Sequence, residues 1–157
     1  MACTPSVRYT HSSTRQASGA TGDESHREKT NTSTTQHDRL KQAVESYLGV
    51  PYQFGGTSRS GIDCSGLVLR VFDEVYNIQL PHSSRKMRER GISILPANAR
   101  AGDLVFFRGN SNRINHVGIY MGERRFVHAS SSRGVIYSNL DQDYYRRRYA
   151  GMRRITR

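Results

Sequence analysis

One thiol and two imidazoles carry the chemistry this sequence offers. Cys64 follows a glycine-rich stretch, Gly55-Gly56-Thr57-Ser58-Arg59-Ser60-Gly61, and stands at the predicted start of a helix. There, backbone N–H groups without intrahelical partners and the positive end of the helix dipole favour a thiolate over a thiol. The same N–H groups can receive a developing oxyanion. Taken alone, such a cysteine is more readily explained as a small buried apolar residue. His116 and His128 change that balance. A hairpin whose loop is centred on Gly122 pairs residues whose numbers sum to 244, which sets His116 opposite His128. Their Cβ atoms would then lie roughly 4.5–5.5 Å apart, with both rings on one face of the sheet. One imidazole takes the thiol proton while the other fixes its tautomer and orientation, as in triads of nucleophile, base and orienting group. Alternation along the strand supports a site: His116, Gly118 and Tyr120 share one face, while Val117, Ile119 and Met121 make the apolar one.

Other chemistries fit less well. A zinc site built from Cys64, His116 and His128 lacks the short ligand spacings of such centres, and His11, His26, His37 and His82 supply none. The glycine-rich stretch lacks the Lys-Ser or Lys-Thr ending of a phosphate-binding loop, so it reads as giving access to Cys64. Arg146-Arg147-Arg148, interleaved with Tyr144, Tyr145 and Tyr149 and continued by Arg153, Arg154 and Arg157, has the composition of a nucleic-acid surface. No nucleic-acid motif accompanies it, and it reads as a solvated edge. No metal, organic cofactor or nucleic-acid partner is expected.

The elements that must position these residues are visible in the periodicity. Leu40, Ala43, Val44, Tyr47 and Leu48 fall at helical spacing, with Asp38 as N-cap and Gly49 as the stop before Pro51. A second helix starts near Asp63-Cys64-Ser65 and carries the stripe Leu67, Val68, Val71, Phe72 and Val75. A short helical segment runs from about Ser84 to Arg90 and ends at Gly91. From Asp103 the period becomes two. Leu104 to Arg108, His116 to Met121, Arg125 to Ala129, Val135 to Ser138 and Gly151 to Ile155 read as strands. Helices followed by an antiparallel meander make an α+β arrangement.

The chain has 157 residues, enough for one ordinary domain. Residues 1–36 are crowded with Ser, Thr, Asn and Gln and nearly lack large aliphatic side chains, so they are expected to be a disordered tether ahead of a domain at 37–157. The net charge is +11, of which the first 36 residues hold +1 and the domain +10. A domain so basic is drawn to polyanions, among them the acidic polymers of an envelope. Two cysteines exclude a disulfide-dense scaffold, and Cys3 is a poor partner for Cys64. No apolar run is long enough to span a bilayer, and no signal-peptide core precedes Cys3.

Six segments, in order, resemble the NlpC family of papain-like cell-wall cysteine peptidases, most closely its envelope lipoproteins. They are Pro51-Tyr52-Gln53-Phe54-Gly55-Gly56, Gly61-Ile62-Asp63-Cys64-Ser65-Gly66-Leu67-Val68, Leu80-Pro81-His82-Ser83-Ser84, Gly102-Asp103-Leu104-Val105-Phe106-Phe107, His116-Val117-Gly118-Ile119-Tyr120 and Phe126-Val127-His128-Ala129-Ser130. The resemblance spans about residues 38–155. It implies a papain-like fold with Cys64 as nucleophile, His116 as base and His128 as orienting member. By the same resemblance Tyr52 faces the nucleophile and helps hold the oxyanion, and Asp63, Ser65 and Ser83 line the substrate cleft. The implied activity is hydrolysis of peptidoglycan stem peptides or cross-links, commonly the bond between D-glutamate and diaminopimelate. Cys3 matches the lipidated cysteine of such lipoproteins, although the lipobox and apolar signal are missing. The implied place is the periplasmic face of the outer membrane, as a monomer. The competing expectations are a wall-binding module without turnover and an amidase or acyltransferase on the same fold.

Overall fold

The computed structural model describes residues 24–156. Helix α1 (Glu24–Glu45) leads through turns to Gly49, and a two-stranded ribbon, β1 (Thr57–Ser58) and β2 (Gly61–Ile62), precedes α2 (Cys64–Tyr76). Then come α3 (Ser84–Met87), β3 (Ile92–Ile94), a 3-10 turn (Pro96–Asn98), β4 (Leu104–Arg108), β5 (Ile114–Gly122), β6 (Arg125–Ser130), β7 (Gly134–Asn139), α4 (Asp143–Arg148) and β8 (Tyr149–Arg154). The six longer strands form one antiparallel sheet in the order β3-β8-β4-β5-β6-β7. The meander therefore holds only for β4 to β7. The last strand returns to the far side of β4, and β3 adds an edge beyond it.

Two layers of core hold the sheet. Because side chains alternate across a strand, Leu104, Phe106, Val117, Ile119, Val127 and Ala129 meet Leu40 and Val44 of α1 and the buried stripe Leu67, Val68, Val71, Phe72 and Val75 of α2. Each of the larger of these side chains contributes about 1.5–3 kcal/mol by leaving water. The opposite face is not given over to the site alone. Val105, Phe107, Tyr120, Phe126, Leu140, Tyr145 and Met152 pack there as a second, smaller core. Tyr120 is thus a core residue, and only the His116 end of that face stays open to chemistry.

Two expectations are corrected. Helix α1 begins at Glu24 rather than after the expected cap Asp38, so residues 24–36 lie within the helix. Its early turns carry no large aliphatic side chain, which is why periodicity could not mark them; once a helix is nucleated, each added residue gains a hydrogen bond without requiring burial. The expected tether upstream of Glu24, with Cys3, lies outside the described residues. The β5–β6 register also differs. Ile119 pairs with Val127 and Tyr120 with Phe126, so the hairpin is centred on position 123 rather than 122. The two loop residues Glu123 and Arg124 both take positive φ, 50° and 60°, as a turn matched to the twist of the strands requires.

Candidate active site

Asp63 builds the start of α2. As N-cap it accepts from Gly66 N (2.6 Å) and from the Ser65 hydroxyl (3.0 Å) through Oδ1, and from Gly55 N (2.9 Å) through Oδ2. Nε2 of His82 lies 3.0 and 3.1 Å from the two oxygens. Burial pushes this carboxyl up, but the Gly66, His82 and Ser65 contacts outweigh it and hold it below its ordinary value. Asp63 and Ser65 are therefore buried on either side of Cys64 in the chain and engaged with each other, and Ser83 caps α3 through Lys86 N. None of the three lines the cavity described below, whereas Tyr52 does.

Cys64, the first residue of α2, is clamped against β5. Its Sγ lies 4.0 Å from the carbonyl oxygen of Asn115, and the N–H of Val117 is directed at it, as are those of Ser65 and Cys64 itself. The thiol thus meets the backbone on both sides of His116. Burial nevertheless pushes the thiol up to about 11, with the nearby Asp63 charge adding to the rise and the N–H groups opposing it. This corrects the expectation of a favoured thiolate: desolvation outweighs the helix N-terminus. Burial also lowers His116 to about 4, so the resting pair is a neutral thiol and a neutral imidazole.

The two histidines meet across the sheet despite the shifted register. A slip of two residues preserves the face, so they are diagonal rather than direct neighbours, and Nε2 of His116 lies 2.8 Å from Nδ1 of His128. The rings are edge to face at 4.9 Å. Gly118 makes the diagonal reach feasible. A Cβ there would stand 2.7 Å from Cδ2 of Phe126 and 3.3 Å from Cβ of His128, crowding the strand on which the second ring sits.

His128 is buried and further held. Its Nε2 lies 2.9 Å from the Ser138 hydroxyl and 3.1 Å from that of Tyr145. Burial, then the neighbouring His116 and Arg133 charges, lower its ring to about 3. The residues missed by sequence reasoning are these two hydroxyls and His82. Tyr145 belongs to the run expected to be a solvated edge, yet it is buried, its ring tilted or edge-to-face against Phe107, Phe126 and His128. Ser138 carried a usable signal: the β6–β7 hairpin pairs it with Phe126, one diagonal step from His128.

Cys64, His116, His128 and Tyr52 line one cavity of about 720 Å³, whose remaining wall comes from the ends of β4 and β6, the loops after them, and α4. Among the described residues, the nitrogen of His116 that remains uncommitted is Nδ1, with Nε2 taken by His128. Such a set can abstract a thiol proton, keep the resulting imidazolium oriented and surround a reacting carbonyl with N–H groups.

A helix-borne thiol held against an antiparallel sheet that carries two linked histidines is the α+β core of the papain-like cysteine peptidases. The chain belongs to the NlpC/P60 family, whose model matches residues 49–154. It is 44% identical over 117 residues to the murein DD-endopeptidase MepS/murein LD-carboxypeptidase of Escherichia coli K12, covering 74% of this chain and 62% of that protein. It is 43% identical over 116 residues to a probable endopeptidase NlpC homolog of Haemophilus influenzae, covering 74% and 61%. Among solved structures, a lipoprotein-like NLP/P60 protein of Staphylococcus aureus superposes with a TM-score of 0.71 at 32% identity, covering 78% of this chain and 42% of that one. The chain thus spans under two thirds of the curated relatives it matches. Among the described residues, no helix is long and apolar enough to cross a membrane.

Proposed function

We propose that this chain is a cysteine endopeptidase that cleaves peptide bonds in the stem peptides or cross-links of bacterial peptidoglycan, with Cys64 as nucleophile, His116 as base and His128 as orienting residue. The observation that carries the reading is the His116 Nε2 to His128 Nδ1 contact at 2.8 Å, which leaves Nδ1 of His116 to serve a thiol fixed between Asn115 and Val117. The names of the relatives, a murein endopeptidase and a probable endopeptidase, supply the substrate class.

In this reading His116 Nδ1 takes the Cys64 proton as Sγ attacks the amide carbonyl, and then delivers it to the leaving amine. The N–H groups around Cys64, with the Tyr52 hydroxyl, stabilise the oxyanion. Water, activated by the same imidazole, releases the acyl enzyme and restores the thiol. The bond between D-glutamate and diaminopimelate and the cross-link bond are the two candidates. The enzyme works as a monomer in the bacterial envelope, tethered through the Ser/Thr-rich segment ahead of α1 to a lipid on Cys3 at the periplasmic face of the outer membrane. Digestion of purified peptidoglycan, with mass spectrometry of the released muropeptides, tests the reading. New fragments from the wild-type chain and none from Cys64→Ala support it; an unchanged wall in both ends it.

A further inference from the structure

Three arginines, Arg108 at the end of β4, Arg133 in the β6–β7 turn and Arg148 at the end of α4, line the cavity that holds Cys64, His116 and His128. Among the described residues, no Asp or Glu lines it. The rest of its polar wall is neutral: Asn110, Asn115, Gln142 and the serines at 130–132. Nearby arginines on the outer surface are neutralised, Arg124 by Asp141, Arg125 by Glu123 and Arg146 by Asp143, whereas none of the cavity three has a carboxylate within ion-pair distance among the described residues. Arg148 is also restrained, its guanidinium 4.1 Å over the Tyr144 ring and 3.2 Å from Asn110 Oδ1. A stacked guanidinium keeps its remaining N–H fork free for a planar anion. Arg133 is close enough for its charge to disfavour a protonated His128.

Resting on the peptidase reading above, we infer that Arg108, Arg133 and Arg148 make this cavity selective for peptides whose carboxylates are free, and against the same peptides with those carboxylates amidated. Three convergent cations without a counter-charge raise the local concentration of an anion and offer two-pronged contacts that an amide cannot match. The requirement falls on the substrate: at least one free carboxylate in the part of the peptide that enters this cavity.

The test uses two soluble stem peptides of one sequence, one with free carboxylates and one with them amidated. Equilibrium binding of each to the Cys64→Ala chain is measured by calorimetry, and hydrolysis of each by the wild-type chain is followed in parallel. Tighter binding of the acid by roughly tenfold or more is expected, from hydrogen bonds to a charged group. The preference should shrink stepwise in Arg133→Gln and Arg148→Gln, recover partly in the corresponding lysine variants, and weaken with salt. Equal binding of the two peptides, or a preference that survives replacement of all three arginines by glutamine in a chain of unchanged circular dichroism, overturns the inference. Acid-selective binding without hydrolysis by the wild-type chain would keep the inference and sink the peptidase reading; hydrolysis with equal binding would do the reverse.

Discussion

Nε2 of His116 and Nδ1 of His128 share one proton across 2.8 Å, so the tautomers of the two rings are locked together. If His116 donates, its Nδ1 is a lone pair that can accept from Cys64, and His128 carries its own proton on Nε2. If His128 donates instead, His116 is protonated at Nδ1 and cannot act as the base. His116→Ala should therefore lose nearly all hydrolysis, roughly 10²–10⁴-fold in kcat, the usual worth of a general base. His128→Gln should keep a measurable part, because the amide oxygen can still accept from His116 Nε2–H. Steady-state rates on a soluble muropeptide measure both, and equal tolerance of the two changes would contradict the assignment.

The hydroxyls of Ser138 and Tyr145 should decide which tautomer prevails. Only when they accept from His128 Nε2–H, at 2.9 and 3.1 Å, is the productive arrangement stabilised. Either one can satisfy the single proton, so Ser138→Ala or Tyr145→Phe alone should be mild. The double variant strands a buried N–H and should lower kcat on the order of tenfold with KM little changed. Nitrogen-15 shifts of the two rings would report the tautomer directly. A double variant with wild-type kcat and unchanged ring shifts would remove both hydroxyls from the device.

Much of this was legible because burial imposes periods on the sequence. The α2 stripe and the strands from Leu104 onward were fixed by alternation between core and surface, and period two guaranteed that a register error of two residues left His116 and His128 on one face. The error itself came from the loop. Glu123 and Arg124 adopt positive φ without the Asn-Gly or Asp-Gly pair that announces such turns, so Gly122 looked like the centre. The early turns of α1, α4 and the edge strand β3 were invisible for another reason. They are short or polar, and their placement rests on tertiary contacts or helix propagation rather than on a stripe of their own. Tyr145 was hidden by its neighbours: Asp141, Gln142 and Asp143 before it and the three arginines after it describe a wet surface, and nothing local says that one ring turns inward.

Acid should destabilise the fold through the same two imidazoles. In the unfolded chain each titrates near 6.5, while burial holds His116 at about 4 and His128 at about 3. Below pH 6.5 the unfolded state therefore binds protons that the native state refuses. The stability present above that pH is lost progressively as pH falls toward 4 and 3. Asp63, held below 3.8, adds a further loss only as pH falls through its lowered value. Tm should thus drop between pH 7 and 4.5, and His128→Gln should flatten that slope by removing one of the two groups. A Tm independent of pH over this range, or an identical slope in the variant, would be incompatible with two rings held neutral by the fold.

The protonation state of the thiol gives the sharpest test of how the site works. With Cys64 raised to about 11 by burial and His116 lowered to about 4, the free protein rests as thiol and imidazole. Little ion pair is then preformed, and the proton moves as the substrate is attacked. Two pH profiles follow. Inactivation by iodoacetamide should climb through pH 9 without saturating below pH 10, because thiolate is formed chiefly by losing its proton to solvent. A preformed thiolate–imidazolium pair would instead reach its full rate by about pH 6 and stay flat. Hydrolysis obeys a different limit, since it needs only a neutral His116. Its kcat/KM should hold down to about pH 5 and fall as pH drops through 4, where the imidazole takes a proton from water and can no longer take one from Cys64. A side-by-side measurement, with circular dichroism to confirm that the chain stays folded at each pH, separates the cases. If alkylation is already saturated at neutral pH, the helix N-terminus and the Val117 N–H outweigh desolvation, and the site works from a thiolate prepared in advance.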